Sequence, residues 1–216
     1  MQKLFATLMC AAGFVVAGAA HATVINGTIH KIDGDKDGQV DDVRISQFTF
    51  TVTAGTTVFF DSLAYESTNV DLNGDGVITG FDVNMWLFKG TTLLRDEDDS
   101  SLTFGDGSVH RYDTAFSHTF NQAGTYTMAI GEHGRSTADA LRGYATNTQF
   151  YPRAGNLDWA AWRVTMTATN GTLGNIANLN ADPVAAVPEP ASLGLLGAGL
   201  LGVAAARRRR PAKTFL

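Results

Sequence analysis

Cysteine is almost missing from this chain of 216 residues, because the only one, Cys10, lies in an apolar N-terminal run. A disulfide within one chain needs two cysteines, so this common brace of small exported domains is excluded. The composition is 44% hydrophobic and 17% charged, which is ordinary for a globular protein and excludes wholesale disorder. The fold must therefore be held by a packed core and by something other than disulfides.

Positive charge is scarce between the two ends of the chain. Residues 23–187 contain three lysines and seven arginines against 17 aspartates and three glutamates, a net charge of −10. Proteins that bind nucleic acid usually present clustered Lys and Arg side chains to the phosphates. The sequence therefore predicts no nucleic-acid partner.

The first 22 residues have the layout of a secretory signal peptide. Lys3 supplies the positive start, residues 4–20 form an apolar run, and Ala20-His21-Ala22 is a small-x-small cleavage site. We expect signal peptidase to cut after Ala22, so that the exported protein loses Cys10.

A second apolar run, residues 191–206, lies near the C terminus and is followed by four arginines. As a helix, a run of this length would cover roughly 24 Å, somewhat less than the ~30 Å hydrocarbon core of a bilayer. The arginines would hold that end in the cytoplasm, which agrees with export of everything upstream. The sequence predicts a membrane helix over residues 191–210 and a cytoplasmic tail over residues 211–216. A simple tail anchor is one interpretation.

A short motif before this helix gives a more specific interpretation. The linker at residues 181–190 ends in Val-Pro-Glu-Pro, and together with the Gly/Leu/Ala-rich helix and the arginines it resembles the PEP-CTERM sorting signal of Gram-negative bacteria. This resemblance implies an inner-membrane precursor, recognition by an exosortase, and a final place in the cell envelope, at the surface or in an extracellular polysaccharide matrix. The motif residues are Val187, Pro188, Glu189, Pro190, Arg207, Arg208, Arg209 and Arg210.

Between these ends the sequence alternates apolar and hydroxylated residues with a period of two, which is typical of strands with one face in a core. The 23 threonines of residues 23–187 also favour strands, and only Ser136–Tyr144 favours a short helix. We therefore predict an all-β fold, a jelly-roll-like antiparallel β-sandwich over residues 23–180. The strand candidates are Phe48–Thr53, Thr57–Phe60, Val83–Phe88, Thr114–Phe120, Tyr126–Ile130 and Trp162–Thr167.

The segment 71–82 matches a twelve-residue calcium-binding loop. Ca²⁺ takes six to eight oxygen ligands, and such loops place oxygen-bearing side chains at alternating positions. Here they stand at positions one, three, five and nine, Gly76 at position six permits the sharp bend, and Ile78 at position eight is expected to attach the loop to the core. The candidate ligands are Asp71, Asn73, Asp75, Val77 through its backbone carbonyl, Thr79 and Asp82.

Asp82 closes this loop at position twelve, where an EF-hand carries Glu. An aspartate there resembles the dockerin version of the loop, which implies calcium as the cofactor. A strand candidate follows instead of a helix, so we expect no EF-hand domain. The alternative is a turn rich in Asp, Asn and Gly that binds no metal, because these residues favour turns anyway.

Another acidic segment, residues 33–42, precedes this loop in the chain and opens with the same spacing. Gly38 stands at position six and Val40 at position eight, but position twelve is Arg44, which cannot bind a cation, so that Asp41 or Asp42 would have to close the site. Calcium binding and a solvated acidic turn stay equally open here. The candidate ligands are Asp33, Asp35, Asp37, Gln39 and Asp41. A third acidic run, Asp96–Asp99, lacks ligand spacing and is interpreted as a polar loop or as the rim of a nearby site.

The order of several short motifs is similar to that of the bacterial pre-peptidase C-terminal domain. The resemblance covers roughly residues 28–169, with Trp159–Thr167 as the closing strand. The sequence departs from the family pattern at Val83, where a proline is expected. It implies a small β-sandwich of the jelly-roll kind, generally not catalytic. The motifs are Asp41-Asp42 before Phe48–Val58, Gly80-Phe81-Asp82 before Leu87-Phe88, Gly90, Leu93-Leu94, Asp98-Asp99, Asp113, and Ala123-Gly124-Thr125-Tyr126.

No catalytic motif is found: there is no H-E-x-x-H, no Cys/His zinc spacing and no G-x-S-x-G elbow, and His133 is interpreted as a solvated loop residue. We therefore predict a protein that is not an enzyme. One hypothesis is a calcium-braced module of a biofilm or envelope. The alternative is a carbohydrate-binding module that recognises an exopolysaccharide through exposed aromatic residues. Its candidates are Trp86, Trp159, Trp162, Tyr144 and Tyr151, of which Trp159 and Tyr151 are expected to be the exposed ones.

Overall fold

The computed structural model describes residues 22–66, 71, 76–99, 111–152 and 158–179. The chain divides into two compact units, residues 1–183 and residues 184–216, and all described residues belong to the first unit. Residues 1–21 of the predicted signal peptide, the sorting motif and the predicted membrane helix lie outside the described residues. Ala22, the predicted last residue of the signal peptide, begins the first strand.

The described residues form two antiparallel sheets. The first sheet has the strand order β7-β4-β10-β1-β2-β9, and the second has the order β11-β3-β8-β5-β6. The strands are β1 (Ala22–Ile32), β2 (Asp42–Arg44), β3 (Ser46–Val52), β4 (Thr56–Leu63), β5 (Val83–Lys89), β6 (Thr92–Glu97), β7 (Ala115–Phe120), β8 (Gly124–Glu132), β9 (Tyr144–Ala145), β10 (Trp159–Thr169) and β11 (Leu173–Asn178).

The predicted antiparallel β-sandwich is confirmed, and so are all six strand candidates, which lie in β3, β4, β5, β7, β8 and β10. In β3 and in the first half of β4, the alternation of residue types matches the burial, whereas the first six residues of β5 are all buried. In β3, Phe48, Phe50 and Val52 are buried, whereas the threonines between them are half-buried. Three further strands of six residues or more, β1, β6 and β11, were not predicted.

The core between the two sheets is built from aromatic side chains. The ring of Phe50 lies 5.6 Å from that of Phe60, 5.8 Å from that of Phe120 and 6.1 Å from that of Tyr126. Burial of one such side chain stabilises the fold by about 1.5–3 kcal/mol, so this cluster can supply much of what disulfides do in other exported domains.

Trp162 forms the other end of this core, and its indole lies against the backbone of β1. A Cβ atom added to Gly27 would come within 2.4 Å of the ring, so only glycine fits at this position of β1. The indole Nε1–H donates a hydrogen bond to Ser46 Oγ at 3.1 Å, which satisfies the polar end of a buried side chain.

The predicted short helix is also present, as α1 (Thr137–Arg142). Ser136 and Asp139 form a capping box at its start, and Gly143 ends it in the left-handed conformation at φ 88°. Within the described ranges, no helix is long and apolar enough to cross a membrane.

Candidate metal centres

The first acidic loop, residues 33–41, joins β1 to β2 and is anchored at its base by Asp42. Asp42 is fully buried, and its Oδ2 accepts hydrogen bonds from the N–H of Gly34 at 2.7 Å and of Asp35 at 2.9 Å. Its Oδ1 accepts from the N–H of Asn147 at 2.9 Å. Burial is the largest influence on this carboxyl and opposes ionisation, but the three N–H donors and Arg142 outweigh it and lower the pKa of Asp42. Asp42 therefore serves as an ionised anchor.

Backbone N–H groups inside this loop donate hydrogen bonds to the loop's own carboxylates. The N–H of Gly38 donates to Asp33 Oδ2 at 3.2 Å, and the N–H of Gln39 donates to Asp37 Oδ1 at 2.8 Å. Lys36 and Gly38 have φ of 64° and 92°, so two left-handed residues close the turn. These contacts give the loop a defined course in which the acidic side chains converge.

The predicted ligands Asp33, Asp35 and Asp37 are indeed brought together. One carboxylate oxygen of each lies within 4.8 Å of the others, and all three side chains are exposed. Asp41 Oδ1 is shielded from solvent and has no hydrogen-bond partner among the residues that the structure describes. Desolvation first, and then the charges of Asp37, Asp42 and Asp35, raise the pKa of Asp41. The loop thus concentrates negative charge that protein donors only partly offset.

Tyr144 supports the base of the same loop. Gly34 lies against its ring, since an added Cβ would come within 2.7 Å of the ring carbons. The same ring also contacts the Arg142 guanidinium, which lies 4.7 Å from the ring centroid. The sequence suggested Tyr144 as a sugar-binding aromatic, whereas the structure gives it a packing role beside the loop.

The second acidic loop, residues 71–82, is described at residue 71 and from residue 76 onward, so Asn73 and Asp75 lie outside the described residues. Asp71 Oδ2 accepts a hydrogen bond from the N–H of Gly76 at 2.8 Å, and Gly76 has φ of 86°. The side chain of Val77, the predicted carbonyl ligand, is exposed. The opening of this loop therefore repeats the contact between the first and sixth residues seen in the first loop.

The end of the second loop lies in the core. Thr79 is fully buried, its N–H donates to Glu66 Oε2 at 3.0 Å, and its hydroxyl oxygen accepts from the N–H of Ala161 at 3.0 Å. Gly80 pairs with Tyr65, and a Cβ there would come within 2.9 Å of the Glu66 backbone nitrogen. The ligand role of Thr79 stays a prediction, and its hydroxyl has an established partner in β10.

Asp82, the predicted closing ligand, lies beside two residues that the sequence did not connect with it. Ligand atoms of Asp82, Asp98 and His133 all lie within 4.8 Å of one another. His133 Nδ1 is 2.6 Å from Asp98 Oδ2, and the His133 N–H donates to the Asp82 carbonyl oxygen at 2.7 Å. We call these three residues the Asp-Asp-His cluster. The sequence predicts Asp98 to lie in a polar loop or at the rim of a nearby site, and His133 to be a solvated loop residue.

Each residue of the Asp-Asp-His cluster lies directly next to the end of a strand. Asp82 directly precedes β5, Asp98 directly follows β6 and His133 directly follows β8. Because β6, β5 and β8 are neighbours in one sheet and antiparallel, these three positions meet at one edge. Knowledge of the strand order was needed to see this, and the sequence alone does not supply it.

Two of the five suggested sugar-binding aromatics belong to the interior. Trp86 and Trp162 are buried, Trp159 and Tyr144 are half-buried, and Tyr151 is 58% exposed. The expectation of an exposed Tyr151 is confirmed, and Trp159 is only partly accessible.

In the comparison with known protein families, residues 186–210 match the PEP-CTERM protein-sorting motif. The chain carries this motif. The predicted sorting signal is thereby confirmed, and it marks the chain as an exported protein with a membrane-anchored precursor in a Gram-negative bacterium, processed by an exosortase. The match covers the C-terminal segment and does not extend to the described residues of the β-sandwich.

Among solved structures, the chain is similar to PliG of Aeromonas hydrophila, a periplasmic lysozyme inhibitor of g-type lysozyme. The identity is 14%, the TM-score is 0.34, and the likeness covers 71% of this chain and 90% of that one. Comparison with curated proteins finds no match. The resemblances to the pre-peptidase C-terminal domain and to the dockerin loop stay predictions.

Proposed function

We propose that this protein is a non-catalytic module that binds calcium in its acidic loops, and that it serves in the cell envelope or extracellular matrix after exosortase processing. The observation that carries the calcium proposal is the first acidic loop. Three exposed carboxylates converge there within 4.8 Å, next to Asp41, whose Oδ1 has no hydrogen-bond partner in the described part of the chain.

The donor set of this loop suits calcium. Asp33, Asp35, Asp37 and Asp41 offer only oxygen, and carboxylate oxygens in a pliable loop are what Ca²⁺ prefers. A cluster of like charges raises the free energy of the metal-free loop, and a bound divalent cation would remove that cost. The anchor Asp42 is already satisfied by three N–H donors, so it holds the loop in place without competing for the ion.

The second acidic loop gives independent support. Its first and sixth residues make the same contact as those of the first loop, and both glycines at position six are left-handed. In the first loop, this turn accompanies the convergence of Asp33, Asp35 and Asp37. We therefore propose that Asp71, Asn73 and Asp75 bind a second calcium ion, with Val77 and Thr79 as the remaining candidates, whereas Asp82 lies beside Asp98 and His133.

The proposal of a non-catalytic role draws on the buried acids. Asp113 Oδ1 accepts hydrogen bonds from the N–H of Ala64 and of Tyr65, at 2.7 and 2.9 Å. Glu132 accepts from the N–H of Tyr151 at 2.7 Å and pairs with Arg135. These carboxylates, like Asp42, hold the backbone in place, which is a structural use of acidic residues.

The carbohydrate-binding alternative has less support. A sugar site on a β-sandwich needs several aromatic faces open to solvent, and Tyr151, at 58%, is the most exposed of the five candidates. An association with extracellular polysaccharide through calcium-bridged carboxylates fits the charge of −10 equally well. We therefore retain polysaccharide as a partner and calcium as the cofactor.

Calorimetric titration of the full chain with Ca²⁺, in a mild detergent, tests this proposal. We expect saturable binding that is reduced by about one ion per chain in Asp35→Ala and in Asp75→Ala. Asp158→Ala is the matched control, because Asp158 is an exposed aspartate whose contact is a surface ion pair with Lys31 at 3.1 Å. Absence of saturable binding, or equal binding in all four proteins, would overturn the calcium proposal.

A further inference from the structure

We propose that the Asp-Asp-His cluster is a binding site for a divalent transition-metal ion, with zinc as the best-fitting ion. Asp82, Asp98 and His133 come from three different chain segments that meet at the edge of the second sheet. Their ligand atoms lie within 4.8 Å of one another, which is a spacing that one central ion can bridge. This site is separate from the all-oxygen first loop.

The ligand chemistry points away from calcium. Ca²⁺ is held by oxygen, whereas an imidazole nitrogen beside two carboxylates is typical of zinc and of its first-row neighbours. Three protein ligands are also the number that zinc keeps when a fourth position is open to water. The nitrogen of His133 is thus the atom that distinguishes this cluster from the calcium loops.

The partial burial of the two carboxylates is the second observation. Asp82 is only 7% exposed, and the Asp98 side chain is 37% exposed, but its Oδ1 is shielded from solvent with no hydrogen-bond partner in the described residues. Two adjacent carboxylates in such a place need positive charge nearby. The charge of Arg111 acts on Asp82, and a protonated His133 would supply one charge beside Asp98, whereas a divalent ion would add two charges between the carboxylates.

Access to the cluster is open on one side. The side chain of His133 is 55% exposed, so an ion can reach the cluster from solvent. The backbone around it is held by other contacts: the His133 N–H donates to the Asp82 carbonyl, and the Thr114 hydroxyl lies against the carbonyl oxygens of Val83 and Asp98 and donates its one proton to either of them. The three side chains are therefore presented by a supported backbone.

The competing arrangement is an ion pair between protonated His133 and Asp98, with no metal. Zinc titration of the full chain in saturating calcium separates the two, because calcium fills the oxygen loops first. We expect one zinc ion per chain, with affinity lowered at least about tenfold in His133→Gln and in Asp98→Asn. His118→Gln and Asp99→Asn are matched controls that change a histidine and an aspartate outside the cluster, and they are expected to bind zinc as the unchanged chain does.

Equal zinc affinity in the cluster variants and the controls, or no zinc binding by the unchanged chain, would overturn this proposal. If a cluster variant fails to fold, nitrogen NMR of the unchanged chain decides instead. Zinc is then expected to shift the ring-nitrogen signals of one histidine, the one assigned to His133, and an unmoved His133 would refute the site. Loss of calcium binding in the earlier titration leaves this result unaffected.

Discussion

The two acidic loops begin alike and end differently. In each, the aspartate at position one accepts a hydrogen bond from the glycine at position six, at 3.2 Å between Asp33 and Gly38 and at 2.8 Å between Asp71 and Gly76. After that point the first loop stays at the surface, whereas the second continues into the core at Thr79. The shared spacing of aspartate and glycine therefore determines the turn, whereas the surrounding fold determines the later contacts.

The difference shows two ways of holding an acidic loop. The first loop is held from below by one buried carboxylate, Asp42, that takes three backbone N–H groups. The second is held by its own last residues, through the pairing of Gly80 with Tyr65 and the contact between Thr79 and Ala161. We expect the first loop to depend on one residue and the second to depend on several.

The largest expected effect is that of Asp42→Ala. This change leaves three backbone N–H groups without their acceptor, and we expect a loss of about 3 kcal/mol in the free energy of unfolding, with or without calcium. Denaturant unfolding in chelator measures it. Asp37→Ala, an exposed change in the same loop, is the control and should cost less than about 1 kcal/mol. Similar losses in both variants would contradict the anchor role.

The second loop should respond less to the loss of one contact. Thr79→Val keeps the shape of the side chain but removes the acceptor of the Ala161 N–H, and we expect a loss of about 1–3 kcal/mol, below that of Asp42→Ala. The same unfolding measurement checks it. A greater loss than for Asp42→Ala would mean that the second loop, too, depends on a single residue.

The likeness of the two turns can be tested through their glycines. Gly38→Ala and Gly76→Ala each force a Cβ into a left-handed conformation without meeting any neighbour, so each should cost about 1–2 kcal/mol. Gly174→Ala is the control, because a Cβ there makes ordinary contact with Thr51 Oγ1 at 3.8 Å. Clearly unequal costs at the two loop positions would show that the turns differ.

The pKa values of Asp41, the last residue of the first loop, and of its anchor Asp42 should be shifted in opposite directions. In chelator, carboxyl-carbon NMR should place the pKa of Asp42 below the ordinary 3.8 and that of Asp41 above it. Asp42 therefore stabilises the fold above about pH 4, and this is lost as the pH falls through its folded pKa. Asp41 contributes the reverse, a stabilisation that is lost as the pH rises through its folded pKa. Equal directions would contradict the different roles given to the two residues.

The sequence predicted strands with a clear apolar pattern, such as the alternating β3 and the continuously buried β5, and it missed β1, β6 and β11. In β6 the first five residues are all exposed, and β1 carries Gly27, whose place is set by the ring of Trp162. β11 carries a register shift between Gly174 and Ala177. Irregular strands of this kind are specified by their partners, which a single sequence does not reveal.

The candidate sites also differ in how far the sequence alone predicts them. The first loop is local, and the spacing of Asp33, Asp35 and Asp37 sufficed to predict that they converge. The Asp-Asp-His cluster joins residues 16 to 51 positions apart, and only the pairing of β5 with β6 and β8 brings them together. Local spacing predicts loops, whereas sites at a sheet edge require the topology.

Thermal unfolding of the full chain, in excess calcium and in chelator, tests the central claim most directly. A single site at about 100-fold saturation adds roughly 2.7 kcal/mol, which corresponds to a rise of about 5–10 °C for a domain of this size. We expect a rise of at least that order, reduced in Asp35→Ala and in Asp75→Ala. Equal melting temperatures in calcium and in chelator would contradict a calcium-braced sandwich and would leave the aspartates as solvated turns.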